Sequence, residues 1–357
     1  MRKIRVGVIG ASAERGWAAR AHVPALTALP DYELTAVGTS RPESARVAAR
    51  LYGAAHAFTD ARRLAGHPEV DLVVITVKVP AHAALVEAAL DAGKHVYCEW
   101  PLARTTEEAE TLAKAARAAG VHHVIGLQAR YAPAIAGARA LVAEGRVGRV
   151  TSATVHAARG KGAGGRIPAW AAYTLDRDNA AGTLEVAGGH TLDALEYVLG
   201  DIRDLAATLE IRHRTSTVAE TGEVVEATSP DRLLLEATLA GGAVVSAEVY
   251  DGEGADGTRI EISGTEGDLA VVSGGAAGIQ IGELHLRGTG TPGRPIHGID
   301  PAAEGFNVAR LYAELARDLR TGAHTVPDFD DALRLHRLLD AIRISAATGT
   351  RQTRDLS

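Results

Sequence analysis

Three short stretches carry residue types that could do chemistry. The first is Gly10-Ala11-Ser12-Ala13-Glu14-Arg15-Gly16-Trp17, which follows the β-rich run Ile4-Arg5-Val6-Gly7-Val8-Ile9. A dinucleotide needs glycine where main chain approaches its pyrophosphate, and a helix N-terminus behind that glycine to offer N–H groups. Gly10 and Gly16 suit those roles. Ser12 stands where a second glycine is usual, and the spacing is longer than G-x-G-x-x-G. An ordinary strand-to-helix turn is the plainer alternative, but the place at the end of a first strand favours a nucleotide turn contacted by Gly10, Ser12, Gly16 and Trp17. The second stretch, Gly38-Thr39-Ser40-Arg41, ends the next strand. An acid there would take the ribose 2′-hydroxyl of NAD; Ser40 and Arg41 can instead hold a 2′-phosphate, unless Arg41 merely faces solvent. NADP is therefore expected ahead of NAD.

The third stretch is Thr76-Val77-Lys78, at the carboxyl end of the nearly continuous apolar run Val70–Thr76. Ligands bind at such strand ends in open α/β sheets. The Lys78 ammonium can pair with a cofactor phosphate there, or be a solvated loop lysine. Gln128-Ala129-Arg130-Tyr131 follows the last strand of the series, so Gln128 is expected at the cofactor and Arg130 at the substrate. Trp170 and Tyr173 stand out in a chain with 3 Trp and 8 Tyr; they stack on a sugar face or fill a gap between domains. His122-His123 and the other histidines show no ligand spacing with acids or with the lone Cys98, so no metal site is expected.

The elements that must position these groups alternate through the first third. Strands are expected at Ile4–Ile9, Leu34–Val37, Val70–Thr76, His95–Glu99 and Val121–Leu127, with helices between them, one opened by the hydroxyl-then-acid cap Thr105-Thr106-Glu107-Glu108. Alternation of this kind means a parallel, doubly wound sheet. From about residue 130, strand-like segments dominate: Val150–His156, Leu205–His213, Leu233–Leu239, Val244–Tyr250, Thr258–Ser263, Asp268–Val272 and Ile279–Leu286. Turns such as Gly241-Gly242 and Gly274-Gly275 separate them. Helices are expected at Leu184–Leu199, Gly305–Arg320 and Asp330–Thr348. The expected fold is a Rossmann-type domain over 1–129, then an α+β domain with a large, mainly antiparallel open sheet over 130–357, its C-terminal helices packing back on the first. Gly160–Gly165 and Gly288–Gly298 read as mobile loops near a site or as surface turns.

Composition narrows the partners. At 357 residues with 46% hydrophobic and 23% charged, the chain has the balance of a folded protein of about two domains. A net charge of -6 leaves no electrostatic footprint for nucleic acid. No apolar run approaches a bilayer span, and the start breaks at Gly10, unlike a secretory signal. A small-molecule partner and a cytoplasmic location are expected, with neither membrane nor nucleic acid.

Two further segments resemble a family. Val96-Tyr97-Cys98-Glu99-Trp100-Pro101-Leu102 is similar to the Glu-Lys-Pro strand end of the glucose–fructose oxidoreductase / inositol dehydrogenase (Gfo/Idh/MocA) superfamily. Gly182–Asp193 resembles its D-x-x-x-H helix, with Ala21–Leu26, Pro327–Ala332 and Asp340–Gly349 adding to the likeness. The resemblance implies an NAD(P)-dependent oxidoreductase acting on sugars, cyclitols or related polyols, assembled as a homodimer or homotetramer. It implies that His190 acts on the reacting hydroxyl, its pKa lying close to working pH. Two departures stand out: the motif lysine is Trp100 and the motif aspartate is Val186. Asp193 could contact His190 or a substrate, Lys78 or Tyr173 could replace the missing proton donor, and His190 could instead be a helix histidine satisfied by a carbonyl. Trp100, the loop Gly-x-Ser-x-x-x-Gly-Trp and Lys78-Val79-Pro80-x-His82 resemble a subgroup that includes the fungal galactose-regulon repressor, a dinucleotide-binding regulator. The resemblance puts Thr76, Val77, Pro80, His82 and Glu99 at the cofactor, and Trp100 at cofactor and substrate. A regulatory or partner-binding role with lost catalysis is the alternative function.

Overall fold

In the computed structural model, residues 2–13, 16–160, 165–252, 257–273, 275, 277–288 and 299–355 are described. Most of the Gly160–Gly165 and Gly288–Gly298 stretches, with Glu14, Arg15 and Gly274, lies outside them. Among the described residues the chain divides into two units, one within Met1–Gln128 and Pro295–Arg334, the other within Ala129–Arg294 and Leu335–Ser357.

Continuous apolar runs become strands buried on both faces in the first unit. Its strands are β1 (Ile4–Ile9), β2 (Tyr32–Gly38), β3 (His56–Phe58), β4 (Leu72–Ile75), β5 (His95–Glu99) and β6 (His123–Gly126). All pair in parallel, in the order β3-β2-β1-β4-β5-β6. That is the Rossmann order, with the reversal between β1 and β4 where nucleotides bind. The crossovers are α1 (Val23–Ala28), α2 (Pro42–Tyr52), α3 (Ala61–Ala65), α4 (His82–Asp91) and α5 (Thr106–Ala119). The expected cap of α5 forms, Thr105 accepting the Glu108 N–H at 3.2 Å. The helix Phe306–Thr321 also belongs here: its Tyr312 stacks on Tyr97 of β5, ring centroids 5.2 Å apart.

The second unit opens with α6 (Pro133–Ala143), a helix absent from the sequence expectation. Its main sheet uses alternating residues, one face apolar, as in β7 (Val150–Arg159), where Ala153, Val155 and Ala157 are buried. With β8 (Arg166–Ile167), β9 (Ile202–Glu210), β10 (Thr215–Val218), β11 (Val224–Glu226), β12 (Arg232–Leu239), β13 (Val244–Asp251), β14 (Thr258–Gly264), β15 (Asp268–Ser273), β16 (Leu284–Arg287) and β17 (Gln352–Thr353), the unit forms two sheets. Eight strands run β16-β15-β14-β7-β13-β12-β9-β17, antiparallel except for β7 and β13, and three run β11-β10-β8. The strand expected at Ile279–Leu286 is only Leu284–Arg287; its first half is a turn closed by Gly282 N–H on Gly278 O at 2.9 Å. The helix expected at Leu184–Leu199 starts as a π-helical turn, Thr183–Gly188, and continues as α7 (Gly189–Leu199). Two helices close the chain, α8 (Phe306–Thr321) and α9 (Phe329–Thr348). The fold class read from the sequence, a parallel Rossmann-type sheet plus a mainly antiparallel one, is the fold found. No described helix is long and apolar enough to cross a membrane.

Candidate functional site

In the first unit, β1 delivers the chain into Gly10, whose φ is +95°. A Cβ there would meet Thr76 Oγ1 at 2.8 Å and Val77 Cγ1 at 2.9 Å, so this position demands glycine on both conformational and steric grounds. Gly10 N–H bonds Gly38 O at 2.9 Å, and Thr76 Oγ1 donates to Ile9 O at 2.8 Å. These bonds tie the ends of β1, β2 and β4 together around a cavity of about 360 Å³ lined by Gly10, Ser12, Ser40, Arg41 and Val77 among others. That volume suits a nucleoside. At its rim Thr39 Oγ1 and Ser44 Oγ both donate to Arg41 O, at 2.9 and 3.0 Å, which fixes the turn that carries Arg41. Ser44, Thr59 and Asp60 also line the cavity and were not singled out from the sequence. Gly16 has φ +115°, and Trp17 follows it with a buried indole N–H that has no hydrogen-bond partner among the described residues.

Lys78 is exposed and leads into a short turn containing Pro80. His82 is buried, its Nδ1 2.8 Å from Pro101 O and its Nε2 3.0 Å from Val77 O. A neutral ring donates to only one of these, and burial pushes its pKa down despite both carbonyls. His82 therefore ties Val77 to Pro101. Glu99 Oε1 lies 2.9 Å from His22 Nε2, and His22 Nδ1 lies 2.8 Å from the Tyr312 hydroxyl. Gly126 permits this, since a Cβ would sit 2.6 Å from Glu99 Oε1. Trp100 is buried, and Gln128 is buried with its Oε1 unpartnered among the described residues. Burial holds the Cys98 thiol well above its ordinary pKa, so it is inert.

In the second unit, the π-helical turn Thr183–Gly188 leads to His190, which is 2% exposed. Its Nδ1 has no hydrogen-bond partner among the described residues. Burial, and then the Arg159 guanidinium, push its pKa down to about 3. This corrects the expectation that it titrates close to working pH: the ring is neutral there. Among the described residues no carboxylate offsets the effect. Both Asp193 oxygens accept from Arg130 Nε, at 3.1 and 3.0 Å, and Oδ1 also from Arg130 NH2 at 2.6 Å. Glu185 accepts the Gly182 N–H at 3.0 Å and pairs with Arg343 at 2.8 Å. Val186 stands at the motif acid's position.

Arg159 is a further residue the sequence reading missed. It donates to both oxygens of Asp251, at 2.8 and 2.9 Å, and Thr183 Oγ1 donates to the same carboxylate at 2.6 Å. Arg159 and Asp251 face each other in register on β7 and β13. Arg159 shares the buried parity of Ala153, Val155 and Ala157, and a charge on the inward side of a strand was the signal available. Trp170 is 53% exposed, so it does not fill a core, and Tyr173 is half-buried with its hydroxyl pKa raised by burial. His122 stacks on His324 with ring centroids 4.3 Å apart.

Comparison with known proteins gives these two units a family. Residues 4–127 match the oxidoreductase family with an NAD-binding Rossmann fold, and residues 133–273 match the C-terminal domain of Gal80p. The chain belongs to the Gfo/Idh/MocA superfamily, in its Gal80-like subgroup. Within that superfamily it is 36% identical over 212 residues to dehydrogenase aclE of Aspergillus oryzae, over 58% of this chain and 57% of that one, so it spans little more than half of that relative. It is 28% identical to the galactose/lactose metabolism regulatory protein GAL80 of Saccharomyces cerevisiae, over 97% and 93% of the two chains. A crystal structure of a super-repressor mutant of that Gal80p superposes with TM-score 0.88 at 26% identity, covering 99% of this chain and 98% of that one. Levoglucosan dehydrogenase of Pseudarthrobacter phenanthrenivorans is 29% identical over 58% of this chain and 54% of its own. The superfamily thus holds both dehydrogenases and a regulator among this chain's relatives.

Proposed function

We propose that this chain is an NAD(P)-dependent oxidoreductase acting on a sugar, cyclitol or related polyhydroxylated small molecule, NADP ahead of NAD. The observation that carries this reading is His190: a buried imidazole kept neutral, with a ring nitrogen left unpartnered among the described residues. An unmade hydrogen bond costs stability, of the order of 1–3 kcal/mol, and such costs concentrate where a ligand completes the bond. Gly10, Ser12, Ser40 and Arg41 fit a dinucleotide in the way the Rossmann turn requires, and when bound it supplies hydride exchange. Gly16, Trp17, Thr76, Val77, Pro80, Gln128 and Trp100 line its path in this reading; Lys78 answers a phosphate, while Glu99 and His82 hold the strand ends in place. His190 holds the substrate oxygen through a hydrogen bond from its neutral ring, a role that needs no imidazolium. Arg159, through Asp251 and Thr183, fixes the start of the helix that carries it. Tyr173 and Lys78 are the candidates for exchanging the proton. Arg130 and Asp193 shape the substrate wall through their own ion pair, and Trp170 offers a ring for a sugar face. The assembly proposed is a homodimer or homotetramer.

A regulatory reading has its own support: Trp100, which cannot exchange a proton, stands at the motif lysine, and the likeness to Gal80 runs the length of the chain. Calorimetry with NADPH and NADH, followed by nicotinamide absorbance with a panel of sugars and cyclitols, separates the two. The oxidoreductase reading expects binding and turnover; the regulatory one expects binding without any change of redox state. Gly10→Val should abolish dinucleotide binding while the second unit stays folded, and normal binding by this variant would remove the turn from the account.

A further inference from the structure

Three side chains of metal-ligating types meet at the edge of the six-stranded sheet. His56 opens β3, the edge strand, while His67 and Glu69 lie in the turn between α3 and β4. One donor atom from each lies within 4.8 Å of the other two. His56 Nε2 is 2.5 Å from Glu69 Oε2, and the two imidazole rings have centroids 4.1 Å apart. The turn is fastened from both sides: Thr35 Oγ1 donates to Glu69 O at 2.8 Å, and Lys94 Nζ to Val70 O at 2.8 Å and His67 O at 3.3 Å. The backbone of two donors is therefore fixed, while the side chains stay open to solvent, Glu69 at 53% and His56 at 29%.

We propose that His56, His67 and Glu69 form a binding site for a divalent transition-metal ion, zinc by the chemistry of the set. Two imidazoles and a carboxylate match zinc and its borderline neighbours, and the open side leaves a fourth position for water. Calcium and magnesium want more oxygen donors than one carboxylate supplies. The bonds an ion must replace are weak ones. The His56–Glu69 pair is a surface interaction, and the Glu69 N–H contact to His67 Nδ1 is long, at 3.2 Å. The ion takes a lone pair on each ring. An ion here would clamp β3 to the turn before β4. Since β3 runs on into Thr59 and Asp60, it would stiffen one wall of the cavity lined by Gly10 and Arg41.

The sequence did not reveal this set, because His56 precedes His-x-Glu by a spacing that is no zinc signature, and only the fold of β3 beside the turn joins them. The test is a competition titration of zinc against a chromophoric chelator, with cobalt as a spectroscopic substitute. The unmodified chain should take up one equivalent at micromolar Kd or tighter, and its cobalt form should show the intense visible bands of a four-coordinate site. His67→Ala should lose that equivalent, and Glu69→Gln, a surface change that leaves the fold intact, should weaken it about tenfold, or about 1.4 kcal/mol. The proposal is overturned if the unmodified chain binds no zinc, or if His67→Ala and Glu69→Gln bind the same number of equivalents with the same affinity, which would put the metal on other histidines.

Discussion

Each unit contains a π-helical turn that feeds an α-helix and buries a histidine, and the two histidines are treated in opposite ways. In the first unit the turn Ala18–His22 runs into α1, and His22 has both ring nitrogens satisfied, by Glu99 and by the Tyr312 hydroxyl. In the second, Thr183–Gly188 runs into α7, and the His190 Nδ1 has no partner among the described residues, while the Arg159 cation adds to the lowering of its pKa. π-Helical turns recur at functional sites, but the turn alone does not separate these two. The hydrogen-bond inventory does: a ring with all its partners inside the fold holds the fold together, whereas one left short has capacity for something else.

Replacing each ring by leucine is the strongest way to break this comparison. His22→Leu strands the buried Glu99 carboxylate and should cost about 3–5 kcal/mol, the usual cost of removing one partner of a buried pair. His190→Leu swaps an unsatisfied polar ring for an apolar group of similar size, so it should be neutral or stabilise by about 1 kcal/mol. Urea denaturation of both variants reads the difference; equal losses would mean that His190 is as structural as His22.

Acid supplies the next test. His190 and His336 are both pushed down to about 3 by burial, against an ordinary 6.5. As their folded pKa values lie below the unfolded one, the unfolded chain binds more protons between pH 6.5 and 3. Stability is therefore full above pH 6.5 and falls as the pH drops, by up to about 1.4 kcal/mol per pH unit for each group. Urea midpoints from pH 7 to pH 5 should fall accordingly, and more shallowly in His190→Leu. An unchanged slope in that variant would mean the ring is not held neutral by burial.

How much of this was legible beforehand follows the range of the interactions. Strands buried on both faces were readable because such burial writes a continuous apolar run, as at Leu72–Ile75 inside the expected Val70–Thr76. The three-residue strand His56–Phe58, with none of its residues buried, writes no such signal. Helix Pro133–Ala143 was missed because it opens on Pro133, carries Gly137 at its middle, and lies where the pattern was turning to strands. Of the site, Gly10 and His190 were legible as motif positions, but their neighbours were not. Arg159 and Asp251 stand 92 residues apart in sequence and meet only because β7 and β13 pair in parallel. The low pKa of His190 depends on that burial and on that arginine, and no local pattern encodes either.

The smallest expected effect concerns the first unit alone. Arg41 is exposed at the rim of the nucleotide cavity, so a charge-assisted bond from it to a 2′-phosphate is screened by solvent. Arg41→Ala should narrow the preference for NADPH over NADH by about tenfold, or about 1.4 kcal/mol. Equal or tighter binding of NADH by the unmodified chain would remove the assignment of NADP.

The central claim is that the second turn's histidine is left short for the sake of a substrate. It is tested most directly by turnover of His190→Ala beside the unmodified chain, across pH, with a polyol that the unmodified chain converts. The account predicts a loss of roughly 10²- to 10⁴-fold, dinucleotide affinity unchanged, and no inflection near pH 6.5 attributable to His190 in the unmodified chain's profile. Turnover unaffected by the substitution, or bound dinucleotide that stays unreacted with every sugar and cyclitol offered, would contradict it.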